Sequence, residues 1–265
     1  MNKFVIFLSS ILLFSFTMAS SQDYSNENFR YVENEAFGFG EKLDYKVGYK
    51  FITAGTGSFY IKKEPLMING RKTYDVNFYV KSLESLAWIY EVKDWYKTAL
   101  DVGGIFPWRF EQHIREGKYK RDFSADFDQK KNIAKTSEGQ FKIPDYVHDI
   151  VSALYYVRTW DLKNMKKDSI AYLKNFYKDS TFTLGIKMLG TQTIEVEAGK
   201  FKCHVVEPLV QEGGLFKSEG NIVVWMTADD RKIPVKVATK ILIGYVGAEL
   251  TKYSGVRGKV DAKIE

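Results

Sequence analysis

The sequence contains few of the residues on which covalent stabilisation and common catalytic motifs depend. Cys203 is its only cysteine, and histidine occurs three times and proline five times in 265 residues. A single cysteine cannot form an internal disulfide, so stability must come from a packed core, and we expect Cys203 to be buried and inert. No Gly-x-Ser-x-Gly elbow, phosphate-binding loop, dinucleotide fingerprint or His-Glu-x-x-His motif occurs. The motifs therefore predict no catalytic residue, cofactor or metal.

One hydrophobic run, residues 4–18, follows Lys3 and precedes Ala19. A basic start, a short apolar stretch and small residues at the exit are typical of a secretory signal peptide, predicted here as residues 1–19. No cysteine lies near the junction, so we expect an exported, periplasmic or envelope-associated protein that is not a lipoprotein. After removal of the leader we expect no integral membrane span. Residues 20–37 are polar without a clear period, which predicts a mobile arm.

The formal net charge of +6 is spread over lysines and arginines that alternate with acidic residues. Scattered charge of this kind is typical of a soluble surface. The alternative is a basic surface that meets an anionic lipid, lipopolysaccharide or acidic glycan of the envelope. Export argues against a nucleic-acid partner. The charge pattern leaves the oligomeric state open.

Alternating apolar and polar residues from Leu43 to Phe51 predict a half-buried strand, and similar segments recur along the chain between turn residues. Asn69-Gly70 is a strong hairpin signal because both positions accept a positive φ. The pattern predicts one β-rich domain over residues 38–265, built as a meandering antiparallel sheet that curls into an open barrel or sandwich.

The period changes to that of an amphipathic helix once, over Asp145 to Trp160. Within one predicted turn, Asp145, His148 and Asp149 could share a proton or a metal ion. The simpler interpretation is that they cap the helix and line its solvated face.

Aromatic residues are concentrated before and within this helix, where they either fill a wide core or line a cavity. If the curved sheet encloses a cavity, we expect Arg158 to pair with an anionic head group of a ligand. The predicted wall residues are Trp88, Trp95, Tyr155, Arg158 and Trp225.

Four separated motifs resemble the domain-of-unknown-function family numbered 3108. They are the segment starting Gly40-Glu41, the segment from Asp149 to Arg158, Gly199-Lys200-Phe201 before Pro208, and Trp225 to Arg231 before Pro234. The resemblance implies a β-rich, exported protein of the Gram-negative envelope and supplies no catalytic residues.

Three functions follow from this sequence. The first is a non-enzymatic envelope module that binds or scaffolds, holding an apolar or amphipathic, lipid-like ligand in a curved sheet. The second is an envelope hydrolase acting on glycan or peptide through His148 and Asp149. The third is an outer-membrane β barrel, against which the helix and the short strands argue.

Overall fold

The computed structural model describes residues 24–49, 52–209, 222–241 and 244–264, so the predicted signal peptide lies outside the described residues. The described chain is mainly β, as the alternating pattern predicts. Its strands are β1 Lys42–Tyr49, β2 Ile52–Ile61, β3 Leu66–Ile68, β4 Arg71–Ser82, β5 Lys93–Asp101, β6 Pro107–Glu116, β7 Tyr119–Asp128, β8 Ile133–Thr136, β9 Gly139–Lys142, β10 Ile170–Tyr177, β11 Ser180–Val196, β12 Gly199–Leu209, β13 Ile222–Thr227, β14 Pro234–Ile241, β15 Gly244–Ser254 and β16 Lys263–Ile264.

All sixteen described strands belong to one antiparallel sheet with the order β10-β11-β12-β13-β14-β15-β1-β2-β4-β5-β6-β7-β8-β9. Strand β3 pairs with β4 and β16 with β12. The first strand pairs with β15, from near the end of the chain, and this pairing joins two meanders into one surface. The two end strands, β10 and β9, are not hydrogen-bonded to each other, so the sheet is not closed. The prediction of an antiparallel sheet that curls into an open barrel or sandwich is confirmed.

Two α-helices occur among the described residues: α1 Glu84–Ala87 and α2 Ile150–Arg158. The prediction that a helix starts at Asp145 was wrong. Tyr146 has a φ of 53°, and the backbone of His148 pairs with β10, so the chain is still extended before α2. Asp149 is the N-cap, and its side chain accepts hydrogen bonds from the amides of Val151 and Ser152. The sequence pattern missed α1 and a 3₁₀ turn at Leu162–Asn164.

The segment before α2 brings the two ends of the sheet together. The amide of His148 donates to the carbonyl of Lys174, and the amide of Phe176 donates to the carbonyl of His148. Phe176 also packs edge-on against Phe127 of β7, with ring centroids 5.8 Å apart. Helix α2 packs against β5 and β10.

Residues 24–37 are the described part of the predicted mobile arm, residues 20–37, and they form no strand but pack against the sheet. Phe37 is fully buried beside Tyr74 and Tyr155, and Tyr24 stacks on Trp108. These aromatic side chains anchor the segment to the sheet. The sequence did not indicate this packing, because the residues around them are mostly polar.

Cys203 lies buried on β12, and burial raises the pKa of its thiol to about 12. A thiol with a pKa this high is protonated at neutral pH. The expectation of a buried cysteine is confirmed, and the raised pKa agrees with the prediction that it is inert.

Candidate functional site

A cavity of about 570 Å³ lies between the inner face of the curled sheet and one face of α2. Its volume is within the roughly 300–1,000 Å³ of small-molecule sites. Eleven strands and the helix contribute to the wall. The described lining residues are Tyr45, Val47, Gly57, Phe59, Phe78, Tyr96, Gln112, Ile114, Ile150, Val151, Ala153, Leu154, Val157, Asn175, Tyr177, Phe182, Thr183, Leu184, Ile186, Val206, Pro208, Ile222, Val224, Met226, Pro234, Val237, Thr239 and Ala248.

Strand alternation places a lateral row of rings on this wall. Phe59 is opposite Phe78 in the β2–β4 register, and Phe78 is opposite Tyr96 in the β4–β5 register. The rings of Phe59 and Phe78 stack with centroids 3.9 Å apart, and Phe78 and Tyr96 lie 5.8 Å apart. Cross-strand aromatic pairs of this kind stabilise a sheet, and here they also give the cavity an apolar floor.

The opposite wall is the apolar face of α2. Ile150, Leu154 and Val157 follow the helical spacing, and all three line the cavity. Ile150 and Leu154 are only half-buried, although they lie on the side of α2 that faces the sheet. The exposed part of these side chains is surface that a ligand could cover.

Two amide side chains interrupt this apolar lining. Gln112 is opposite Tyr96 in the β5–β6 register, and Asn175 lies on β10. Each is 4% exposed, and neither Gln112 Oε1 nor Asn175 Nδ2 has a hydrogen-bond partner among the described residues. Buried amide atoms are normally paired. Four amide atoms among the described residues have no partner, and these two are the ones whose residues line the cavity, where a ligand could pair with them.

The predicted role of Arg158 is corrected by the structure. Arg158 is fully buried, and its guanidinium forms a bidentate ion pair with Glu41, at 2.6 Å and 2.8 Å. It also donates to the carbonyls of Ala36 and Arg231, each at 3.1 Å. Its donors are therefore directed at the protein's own groups rather than at a ligand head group.

The other four predicted wall residues do not line the cavity either. Trp88 is 82% exposed on the surface, and Tyr155 is buried against Phe37. Trp95 stacks between Tyr79 and His113, and the indole of Trp225 donates to Gln192.

Trp95 and Trp225 each adjoin lining residues, but neighbouring side chains on a strand point to opposite faces. On β5 the sequence did indicate the inner face, because the charged Lys97 alternates with Tyr96 and Thr98 and shares its face with Trp95. Around Trp225, apolar residues occupy both faces of β13, so the pattern there carries no signal.

His148 and Asp149, the candidates for hydrolysis, are held by structural contacts. His148 Nδ1 lies 3.2 Å from Ser152 Oγ, and its Nε2 lies 3.2 Å from the guanidinium of Arg30. Burial and the Arg30 charge lower the pKa of His148, so its imidazole is neutral. Burial raises the pKa of Asp149 to about 6, although hydrogen bonds from Thr98 and from the start of α2 oppose the shift.

Asp145 instead accepts a hydrogen bond from Asn132 at the surface, so the three candidate residues do not converge. Within the described ranges, no cluster of three or more histidine, cysteine or acidic side chains is arranged to hold a metal ion. Among the same residues, no helix is both long and apolar enough to cross a membrane.

One solved structure supports the fold. The β-barrel-like protein of the domain of unknown function DUF1849 from Brucella abortus is similar with a TM-score of 0.54 and 9% identity, covering 82% of this chain and 98% of that one. Protein CT021 from Chlamydia trachomatis has a TM-score of 0.37 at 8% identity, covering 86% and 92%. A protein with a YmcC-like fold from Bacteroides fragilis has a TM-score of 0.35 at 9% identity, covering 85% and 100%.

No curated protein matches the chain. The family described as "Protein of unknown function (DUF3108)" matches residues 44–251, which include β2 to β14 entire and all but the ends of β1 and β15. The sequence motifs and this match agree, and the chain belongs to the DUF3108 family.

Proposed function

We propose that this protein is a non-enzymatic binding module of the cell envelope that holds an apolar or amphipathic ligand in the cavity beside α2. The observation that carries the proposal is the cavity of about 570 Å³, whose described walls are almost entirely aliphatic and aromatic. Binding sites for small ligands have this size and composition, with a few polar groups that orient the ligand.

The partly buried lining residues give the physical reason for binding. Ligand atoms that cover Ile150, Leu154 and Phe59 remove apolar surface from water, at about 25 cal/mol for each Å². The sheet and the helix cap already hold these side chains in place, so little further ordering is needed when a ligand binds.

Location in the envelope is the second part of the proposal, and it depends on the predicted leader of residues 1–19. A lipid or another envelope amphiphile is the class of ligand available there. Gentle purification from the envelope fraction, organic extraction and mass spectrometry test both parts, because the same sample gives the bound small molecules and the mass of the processed chain. A chain that retains residues 1–19 would contradict the location in the envelope. A sample without any extractable apolar molecule would contradict the binding function.

A variant that fills the cavity tests its location. Leu154→Trp adds ring volume on the cavity face of α2, and we expect the affinity for the neutral fluorescent probe N-phenyl-1-naphthylamine to fall at least about tenfold. Lys163→Trp, an exposed change just after the helix, is the matched control and should bind as the natural protein does. Equal binding by both variants would place the probe outside the cavity.

A further inference from the structure

We propose that the cavity selects a ligand with an uncharged head group that both donates and accepts hydrogen bonds, and that Gln112 and Asn175 bind this group. The inference rests on the proposed function and names the chemistry of its ligand: an apolar chain that ends in a hydroxyl or a primary amide.

The two amide side chains approach the same end of α2 from two strands. Gln112 of β6 is paired with Tyr96 of β5. Thr98, also on β5, donates a hydrogen bond to the N-cap Asp149, with an Oγ–Oδ distance of 2.7 Å. Asn175 is paired with His148, the residue before the N-cap. Both amides therefore belong to the wall around the start of the helix.

Each amide has an unused hydrogen-bonding atom at a buried position. Gln112 Oε1 can accept a hydrogen bond and Asn175 Nδ2 can donate one, and no described residue supplies the partner. A buried polar group without a partner is unfavourable, so a ligand that satisfies both atoms gains more than one that satisfies neither. A primary amide or a hydroxyl has both capacities, whereas an ether only accepts.

The wall disfavours a charged head group. Every described lining residue is uncharged, and the ionic groups on α2 and at its N-cap are engaged elsewhere. The carboxylate of Asp149 accepts from the amides of α2 and from Thr98, and Arg158 is paired with Glu41. A carboxylate or quaternary ammonium moved into this wall would lose its hydration without gaining a counter-charge.

A head-group series with one chain length tests the selection. Each ligand competes at pH 8 with the probe N-phenyl-1-naphthylamine for the cavity of the processed protein. The series is decanamide, 1-decanol, decyl methyl ether, decanoate and decyltrimethylammonium. We expect decanamide and 1-decanol to displace the probe at concentrations at least about tenfold lower than the ether and the two ions. Displacement by decanoate or decyltrimethylammonium at equal or lower concentration would overturn the inference.

Substitution of the amides tests the assigned residues. In Gln112→Leu and Asn175→Leu we expect the affinity for decanamide to fall about 5- to 10-fold, while that for decyl methyl ether stays the same or rises. Gln140→Leu, an exposed change on β9, is the matched control. Equal loss of both ligands would mean that the amides only support the wall, and would overturn their role.

The failure of the two proposals is distinguishable. If the natural protein binds neither the probe nor any member of the series, the proposed function fails. If the probe binds but the head groups are not discriminated, only this inference fails. Thermal melts identify a variant that does not fold, and the head-group series on the natural protein decides the matter in that case.

Discussion

The two faces of α2 have opposite chemistry. On one face Tyr155 and Arg158 are buried against aromatic rings, and the guanidinium is fully paired. On the other face Ile150 and Leu154 border the cavity and keep part of their surface exposed. One short helix therefore separates a region that stabilises the fold from a region available for a ligand, and substitutions on its two faces should affect different properties.

The largest effect is expected from the buried ion pair. Arg158→Met removes the charge but keeps a similar length, and it leaves Glu41 buried and unpaired. We expect the free energy of unfolding to fall by about 3–5 kcal/mol in urea denaturation. Arg109→Met, which breaks an exposed pair with Asp126, is the control and should change it by at most about 1 kcal/mol. Similar values for the two variants would contradict the stabilising role assigned to the Arg158 face of α2.

The next effect concerns Asp149, at the start of α2. Its pKa is raised to about 6, above the ordinary value of 3.8, so the folded protein retains a proton that the unfolded chain releases. Its contribution to stability is therefore complete below about pH 4 and is lost as the pH rises through about 6, by roughly 2–3 kcal/mol in total.

Asp149→Asn keeps a good N-cap and removes this titration. Relative to this variant, the natural protein should lose stability between pH 4 and pH 7 in denaturant titrations. Comparison of the two proteins cancels the other titrating groups. A stability difference that is independent of pH would contradict the raised pKa.

The strands were predictable because their alternation is local and continuous. The prediction for Arg158 failed because its partner, Glu41, lies 117 residues earlier in the chain. A lone arginine in an apolar helix predicts some partner but does not identify it. Arg158 and Glu41 are both buried because the whole sheet curls, and a local sequence pattern does not predict that curl.

The motifs that carry the family resemblance contain structural residues. Glu41 and Arg158 form the buried pair, and Asp149 caps α2. Asp229 accepts from Thr227, from turn amides and from the amide of Ala262. Gln112 and Asn175 lie outside these motifs, so the resemblance gave no indication of the polar part of the cavity. What distinguishes Gln112 and Asn175 is an amide side chain on the inner face of a strand, and that face is known only from the strand register in the structure.

The smallest effect, on the cavity face, sharpens the comparison most. Leu154 already borders open volume, so Leu154→Ala enlarges a cavity rather than creating one, and we expect a loss of only about 1 kcal/mol in the free energy of unfolding. Leu162→Ala removes the same atoms from a fully enclosed site, 1% exposed, and should lose about 2–5 kcal/mol. Probe binding should respond in the opposite order, because only Leu154 contacts the ligand volume. If Leu154→Ala destabilises the protein as much as Leu162→Ala does, the cavity face of α2 contributes to the core, and the separation of stability from binding does not hold.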